Sequence, residues 1–232
     1  MSLNIEENAI FIADSHFNEN QPELLIFLEK LQLNEIKTTQ LFLLGDMFDF
    51  ISGECSYFIK QNQEIIDLLN DLSQKIDIIY LEGNHDYNLK KLFPSIKVFS
   101  RDEQPVSAKY ADKRVALCHG DMFVNSSYEL YCKVIRNRVF LKFMNLIDFN
   151  NWISKKIYFG LLSKNICRII PNFEDIVKKR VENYSEDIVI EGHYHQGKQY
   201  EIDNKRYINI PSLACSKEYS CINSYVISNN SL

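Results

Sequence analysis

The sequence predicts an α/β fold in which two packed sheets carry helices on their outer faces, in a single domain spanning residues 1–232. Three observations lead there. Seven short apolar runs have the length and the β-branched and aromatic content of strands buried on both faces. Helical-period segments separate the early runs, whereas the later ones follow without long helices, an order that suits a two-sheet sandwich. Finally, 232 residues, 46% apolar and 25% charged, are enough for one substantial core and too few for two domains.

The elements fall in order along the chain. AIFIA (9–13) is the first strand-like run, followed by PELLIFLEKLQL (22–33) with apolar residues at i, i+3, i+4 and i+7 of a helix. QLFLL (40–44) is the second strand, and YFIKQNQEIIDLLNDLSQ (57–74) repeats the helical period before IDIIYL (76–81). RVALC (114–118), DIVIE (187–191), YINI (207–210) and SYVI (224–227) complete the strand set, and roughly 120–183 reads as mostly helical. The N-terminus, MSLNIEENAIFIADSHF, has no basic segment before a long apolar run and is not read as a secretory signal. No stretch has the ~18 uninterrupted apolar residues of a spanning helix. The six cysteines form no C-x-x-C pair, so the expectation is reduced thiols in a cytoplasmic protein. A net charge of -5 gives no support to nucleic acid as the main partner.

Five of the strand-like runs end in residues that bind metals. Asp14-Ser15-His16 follows the first, and Gly45-Asp46-Met47-Phe48-Asp49 follows the second. Gly83-Asn84-His85-Asp86, His119-Gly120-Asp121 and Gly192-His193-Tyr194-His195 follow the next three. Ligands of open α/β sheets bind beyond the carboxyl ends of strands, so these loops are expected to converge. A lone histidine is more often a satisfied structural residue than a ligand. Here all five histidines of the protein sit in such clusters, and the structural reading would need five coincidences. Imidazole nitrogen together with carboxylate and amide oxygen suits Mn²⁺, Fe or Zn²⁺ better than Mg²⁺ or Ca²⁺, which prefer all-oxygen shells.

The order D-x-H, G-D-x-x-D, G-N-H-D, H-G-D, G-H-x-H, running from 14 to 195, resembles the calcineurin-like metallophosphoesterase superfamily. The resemblance implies an α/β/β/α metallophosphoesterase sandwich with a helical cap insert and two divalent ions, Mn²⁺ being expected. It gives Asp14, His16 and His195 to one ion and Asn84, His119 and His193 to the other, with Asp46 bridging. Such a pair acidifies a water and clamps phosphoryl oxygens. His85 matches the family's catalytic histidine, and Asp49 matches the carboxylate that orients its ring. Asp86 and Asp121 read as turn and cap residues.

Between His119 and His193 lie 73 residues, from which a cap insert of about 122–183 is expected. Within it, residues 128–170 carry eight basic residues against Glu129 and Asp148, and eight aromatics. A basic, aromatic-rich helical stretch reads as an interfacial element or a lid over an amphipathic anionic ligand. The bland alternative is that the aromatics are core and the lysines simply solvated. An insert of this kind resembles the bacterial UDP-2,3-diacylglucosamine diphosphatase family of lipid A biosynthesis. That resemblance implies a lipid-linked nucleotide substrate, peripheral contact with the inner face of the membrane, and UMP and 2,3-diacylglucosamine 1-phosphate as products. By the same analogy Tyr128 and Arg136 contact substrate. The chain departs from the family where His85-Asp86-Tyr87 replaces the R-D-F of G-N-R-D-F, and in Met122–Ser127 after H-G-D. A soluble phosphodiesterase or nucleotidase of the superfamily, and a nucleic-acid-directed phosphodiesterase, are the alternatives.

Overall fold

The apolar runs are strands whose successive side chains enter two different cores, in a computed structural model that describes residues 3–224 and 226–232. Over these residues one six-stranded sheet runs, in spatial order, β14 (Val226–Ser231), β13 (Glu218–Asn223), β2 (Ile10–Ile12), β3 (Gln40–Leu43), β5 (Asp77–Leu81) and β7 (Lys97–Phe99). The other runs β1 (Leu3–Asn4), β8 (Val106–Tyr110), β9 (Lys113–Cys118), β10 (Ile188–Glu191), β12 (Lys205–Asn209) and β11 (Gln199–Ile202). Phe11, Phe42, Ile79, Leu117, Ile190 and Ile208 point inward and share the core between the sheets. Phe11 stacks on Phe42 with ring centroids 4.6 Å apart. Their neighbours Ile10, Ile12, Leu41, Leu43 and Ile78 point outward under α1 (Glu23–Gln32) and α3 (Gln63–Leu72). On the opposite face, Ala116, Val189 and Tyr207 meet Phe173, Val177 and Val181 of α7 (Phe173–Val181). This period-2 division of continuously apolar strands produces the α/β/β/α layering.

The helical pattern at 57–74 is two helices, α2 (Ser56–Gln61) and α3, separated at Asn62, whose Nδ2 donates to the Phe58 carbonyl at 2.8 Å. A side-chain amide that competes for helix carbonyls ends the first helix there. The insert contains α4 (Ser126–Ile135), α5 (Arg138–Ile147) and α6 (Trp152–Leu162), then an irregular return through 163–172. α7, which the sequence grouped with the insert, instead covers the second sheet between parallel strands β9 and β10. A second revision concerns the cysteines: Cys167 in the return is bonded to Cys215 in α8 (Leu213–Ser216), with Cα atoms 5.5 Å apart. The return passes over α8 and brings within bridging range two residues 48 apart in sequence. Of the SYVI run, Tyr225 lies outside the described residues and the strand begins at Val226.

Strands β2, β3 and β5 are mutually parallel, as are β9 and β10. Their register aligns Ile12 with Leu43 and Leu43 with Tyr80 in one sheet, and Cys118 with Glu191 in the other. The five motif loops therefore leave both sheets at one level of the sandwich.

Candidate metal centre

Two glycines set how closely these loops approach. A Cβ on Gly83 would lie 2.2 Å from Asp46 Oδ1, and one on Gly45 would lie 2.5 Å from His119 Nδ1. Gly45 also has φ +85°, a conformation that side chains oppose. With no side chain at either position, Asp46 and His119 reach the same point between the sheets.

Three sets of ligand atoms, each within 4.8 Å of one another, result: Asp14 with His16 and His195, His16 with Asp46 and His85, and Asp46 with His119 and His193. Asn84 joins the last, its Oδ1 3.1 Å from His119 Nε2. Asp46 Oδ2 lies 3.9 Å from His16 Nε2 and 3.6 Å from His119 Nε2, between the two halves. Thus the seven residues singled out as ligands surround one centre, and His85 stands beside it.

The outward nitrogens are spoken for. His119 Nδ1 donates to the Leu44 carbonyl at 2.8 Å, and His195 Nδ1 donates to the Ile166 carbonyl at 2.9 Å. A carbonyl can only accept, so each ring is protonated there and turns its Nε2 lone pair to the centre. His195 Nε2 is 3.2 Å from Asp14 Oδ1, and His193 Nδ1 is 3.3 Å from His119 Nε2. Asp14 Oδ1 and both nitrogens of His16 are buried with no hydrogen-bond partner in the structure. Buried polar atoms in that condition cost free energy, and a cation would satisfy Asp14 Oδ1 and one nitrogen of His16, the other ring nitrogen facing the Asp49 carboxylate at 3.6 Å. The donor set fits the divalent ions expected from sequence.

Electrostatics divide the histidines into two that are kept neutral and two, His119 and His195, that the neighbouring carboxylates raise. Burial pulls His16 and His193 down to about 4, which leaves both rings neutral and able to ligate near pH 7. Burial opposes ionisation of Asp46, but His119, His85 and His16 outweigh it and hold its carboxyl below the usual range. Burial alone would lower His119; Asp46, Asp14 and Asp121 overcome it and push the ring up to about 9, so a proton must leave Nε2 before this ring can ligate. The protein thus keeps an anion at the shared position.

The predicted dyad needs correction. His85 Nδ1 donates to the main-chain carbonyl of Asp49, not to its carboxylate. The carboxylate accepts from Asn18 Nδ2 at 2.7 Å and stands 3.6 Å from His16 Nδ1. The parallel pair β4 (Ile51–Ser52) and β6 (Asp86–Tyr87) runs these loops side by side and brings the peptide, rather than the side chain, to His85. Asp86 is the turn residue expected: it accepts from the amides of Asp46, Met47 and Gly83 at 3.0, 2.7 and 2.6 Å. It also accepts from Tyr80 Oη, which sequence reasoning missed. Asp121 is a buried ion-pair partner, 2.9 Å from Arg101 Nε, rather than a cap.

Beside Asn84 and His85 opens a cavity of about 650 Å³. Tyr131, Phe140, Leu141, Met144 and Ile157 of the insert line it with Phe58 of α2, and Tyr128 stands on its wall. Arg136 does not line it. Its Nη2 donates to the Gly83 carbonyl at 2.7 Å, one residue before Asn84.

A family model described as calcineurin-like phosphoesterase matches residues 8–197. The UDP-2,3-diacylglucosamine hydrolase of Histophilus somni (strain 129Pt) is 28% identical over 203 residues, covering 82% of this chain and 85% of its own. That of Wigglesworthia glossinidia brevipalpis is 24% identical over 219 residues, covering 86% and 84%. Among solved structures, a novel archaeal phosphodiesterase superposes with TM-score 0.51 at 14% identity, over 97% of this chain and 99% of that one. The Escherichia coli phosphoesterase YfcE gives 0.50 at 15% identity, over 95% and 91%. These two likenesses concern the fold, which is the same two-sheet sandwich. With the five loops converging on one buried donor set, the match over residues 8–197 means that the chain belongs to the calcineurin-like phosphoesterase family and is a metal-dependent phosphoric ester hydrolase.

Proposed function

We propose that the protein hydrolyses the diphosphate of UDP-2,3-diacylglucosamine to UMP and 2,3-diacylglucosamine 1-phosphate. The observation that carries this reading is the apolar cavity of about 650 Å³ that meets the ligand loops at Asn84 and His85. Acyl chains entering it would leave the diphosphate beside the histidines and carboxylates. The substrate named for the relatives is of that chemical class. A polynucleotide would instead call for a continuous basic groove with stacking platforms.

Asp14, His16 and His195 would hold one divalent ion, Asn84, His119 and His193 the other, and Asp46 both; Mn²⁺ is the ion we favour, with Fe or Zn²⁺ as alternatives. Such ions supply Lewis acidity toward phosphoryl oxygens and lower the pKa of water. The protein's own groups do the rest. His85, fixed through Nδ1–H by the Asp49 carbonyl, would act in its doubly protonated form, with Nε2–H donating to the reacting phosphoryl group or giving its proton to the leaving oxygen. The insert walls keep the acyl chains out of water.

The same reading places the protein at the surface of a membrane. No helix of the described residues is long and apolar enough to cross one. Yet on the insert Phe149, Leu146, Val139 and Trp152 are 84%, 82%, 77% and 66% exposed, with Lys142, Lys155 and Lys156 nearby in the chain. Exposed apolar surface flanked by cations suits the interface of an anionic bilayer. The test is kcat/KM for UDP-2,3-diacylglucosamine in mixed micelles against a water-soluble UDP-sugar. A large preference for the lipid is expected, and equal cleavage refutes the lipid reading while leaving a soluble phosphodiesterase.

A further inference from the structure

We propose that the insert completes the outer shell of both halves of the metal centre, so that metal affinity depends on the insert being docked. The proposal rests on the two-metal reading above and adds to it what holds the ligands in place. Two separate anchors carry it, one to each half.

The first anchor is Arg136, the residue that ends α4. Its side chain is 13% exposed. Nη2 donates to the Gly83 carbonyl at 2.7 Å, one residue before Asn84, and lies 3.4 Å from Asp121 Oδ2, two residues after His119. The guanidinium also covers the Tyr87 ring, 5.3 Å from its centroid, and the Arg136 carbonyl accepts from Asn88 Nδ2 at 3.0 Å. Arg101 braces the arrangement, donating through Nε to Asp121 at 2.9 Å and through Nη1 and Nη2 to Glu129 of α4 at 2.7 and 2.6 Å. One cation of the insert thus bridges the loops that carry two ligands of one half. Arg136 is a positioning residue, since it touches neither the cavity nor the ligand atoms.

The second anchor is the irregular return at 163–172. The carbonyl that fixes the His195 ring belongs to Ile166, in this segment and not in the catalytic sandwich. The segment is held over the His195 loop by Gln196, which accepts from the Ile170 amide at 2.9 Å and donates to the Arg168 carbonyl at 2.9 Å. The adjacent Cys167 is bonded to Cys215, and α8, which carries Cys215, is itself tied to a ligand loop. Ser212 Oγ donates to the Asp14 carbonyl at 2.7 Å, and the Leu213 amide donates to the Ala13 carbonyl at 3.0 Å. The disulfide therefore joins the segment that orients His195 to the turn that supports Asp14, the two ligands that face each other in the other half.

Groups that orient a metal-binding ring through its second nitrogen are worth roughly 10–100-fold in metal affinity. Here they are supplied by the insert that also lines the cavity, so under the reading above the insert would couple the two binding events.

The experiment is Mn²⁺ titration by calorimetry on the wild-type protein, Arg136→Ala, the double variant Cys167→Ser/Cys215→Ser, and Leu130→Ser as a control on the exposed surface of α4. Wild type is expected to bind two ions. Arg136→Ala should weaken one of them roughly 10–100-fold and the double serine variant the other, with far-UV circular dichroism preserved and Leu130→Ser unchanged. KM for bis(p-nitrophenyl) phosphate at saturating Mn²⁺ should stay within about twofold of wild type in both, which separates loss of metal from loss of substrate binding. If Arg136→Ala does not fold, the double serine variant, which removes a bond at the surface, decides the matter. Binding of both ions by both variants as tightly as by wild type overturns the inference. Failure of wild type itself to bind Mn²⁺ overturns the two-metal reading and the inference with it.

Discussion

Gly160 offers a perturbation in which stability and activity should move in opposite directions. It lies inside α6 (Trp152–Leu162) and lines the insert cavity, and a Cβ built on it meets nothing within 4 Å. The first carbon of a side chain therefore enters without a clash. A glycine in a helix interior costs about 1 kcal/mol relative to good helix formers, so Gly160→Leu should raise Tm by about 2–4 °C for a chain of this size. The four carbons of the new side chain occupy space that acyl carbons would otherwise fill. Displacing about four methylenes at ~0.8 kcal/mol each removes about 3 kcal/mol of binding, or roughly 200-fold in kcat/KM for the long-chain substrate. Hydrolysis of bis(p-nitrophenyl) phosphate, which has no chain to bury, should be unaffected. The assays are a thermal melt and both activities measured at saturating Mn²⁺. A raised Tm with long-chain kcat/KM within threefold of wild type would show that the chains do not lie along α6, and the reasoning from the cavity would fail.

His85→Ala should lower kcat for bis(p-nitrophenyl) phosphate by about 10²–10⁴ with little change in KM, because a group acting on the transition state is lost. Asp49→Asn keeps the main-chain carbonyl that fixes His85 and should cost at least tenfold less; equal losses would restore the carboxylate dyad. Away from the centre, Arg180 forms a bidentate pair with buried Glu191 at 2.8 and 2.6 Å, and Arg180→Met leaves that carboxylate unpaired. A stability loss of about 3–5 kcal/mol by urea denaturation is expected, and a loss below 1 kcal/mol would mean that Tyr184 and Tyr207 alone satisfy the charge.

How much was legible from sequence follows from where the information sits. Strands buried on both faces announce themselves as unbroken apolar runs, and β2, β3, β5, β9 and β10 were all found that way. β8, VSAKY, alternates buried and exposed and has no such run, while β1, β4 and β6 are two residues long, too short for any period to show. The ligand loops were legible because histidine, aspartate and asparagine carry their chemistry in the side chain. The Ile166 and Asp49 carbonyls were not, since a peptide group looks the same in every residue. The bond of Arg136 to the Gly83 carbonyl was not legible for a related reason: a guanidinium serves a phosphate or a carbonyl equally, and only packing decides. The disulfide depends on two distant segments meeting, for which spacing alone gives no signal.

The backbone of the centre adds a constraint that the side chains do not reveal. Asp14, His16, Asp46, His193 and His195 all have φ between 41° and 64°, a conformation that L residues occupy at a cost. Five such residues in one centre are not a tolerable accident, and the surroundings show what enforces them. The Asp46 amide is held by Asp86 at 3.0 Å and the His193 amide by Asp14 Oδ2 at 2.8 Å. The His16 amide donates to the Asp46 carbonyl at 3.0 Å, and Asn209 Nδ2 donates to the Gly192 carbonyl at 2.6 Å. Each bond joins one motif loop to another or to the strand beside it, so no loop can relax to ordinary dihedrals alone. The large core between and outside the sheets offsets the cost. In return, side chains that would leave a regular strand end in diverging directions are turned back toward one another. A site held in this way is confined by the protein's own hydrogen bonds, which is why the outer contacts from Arg136 and Ile166 can matter: they act on ligands already constrained, where a small displacement is felt directly as lost affinity.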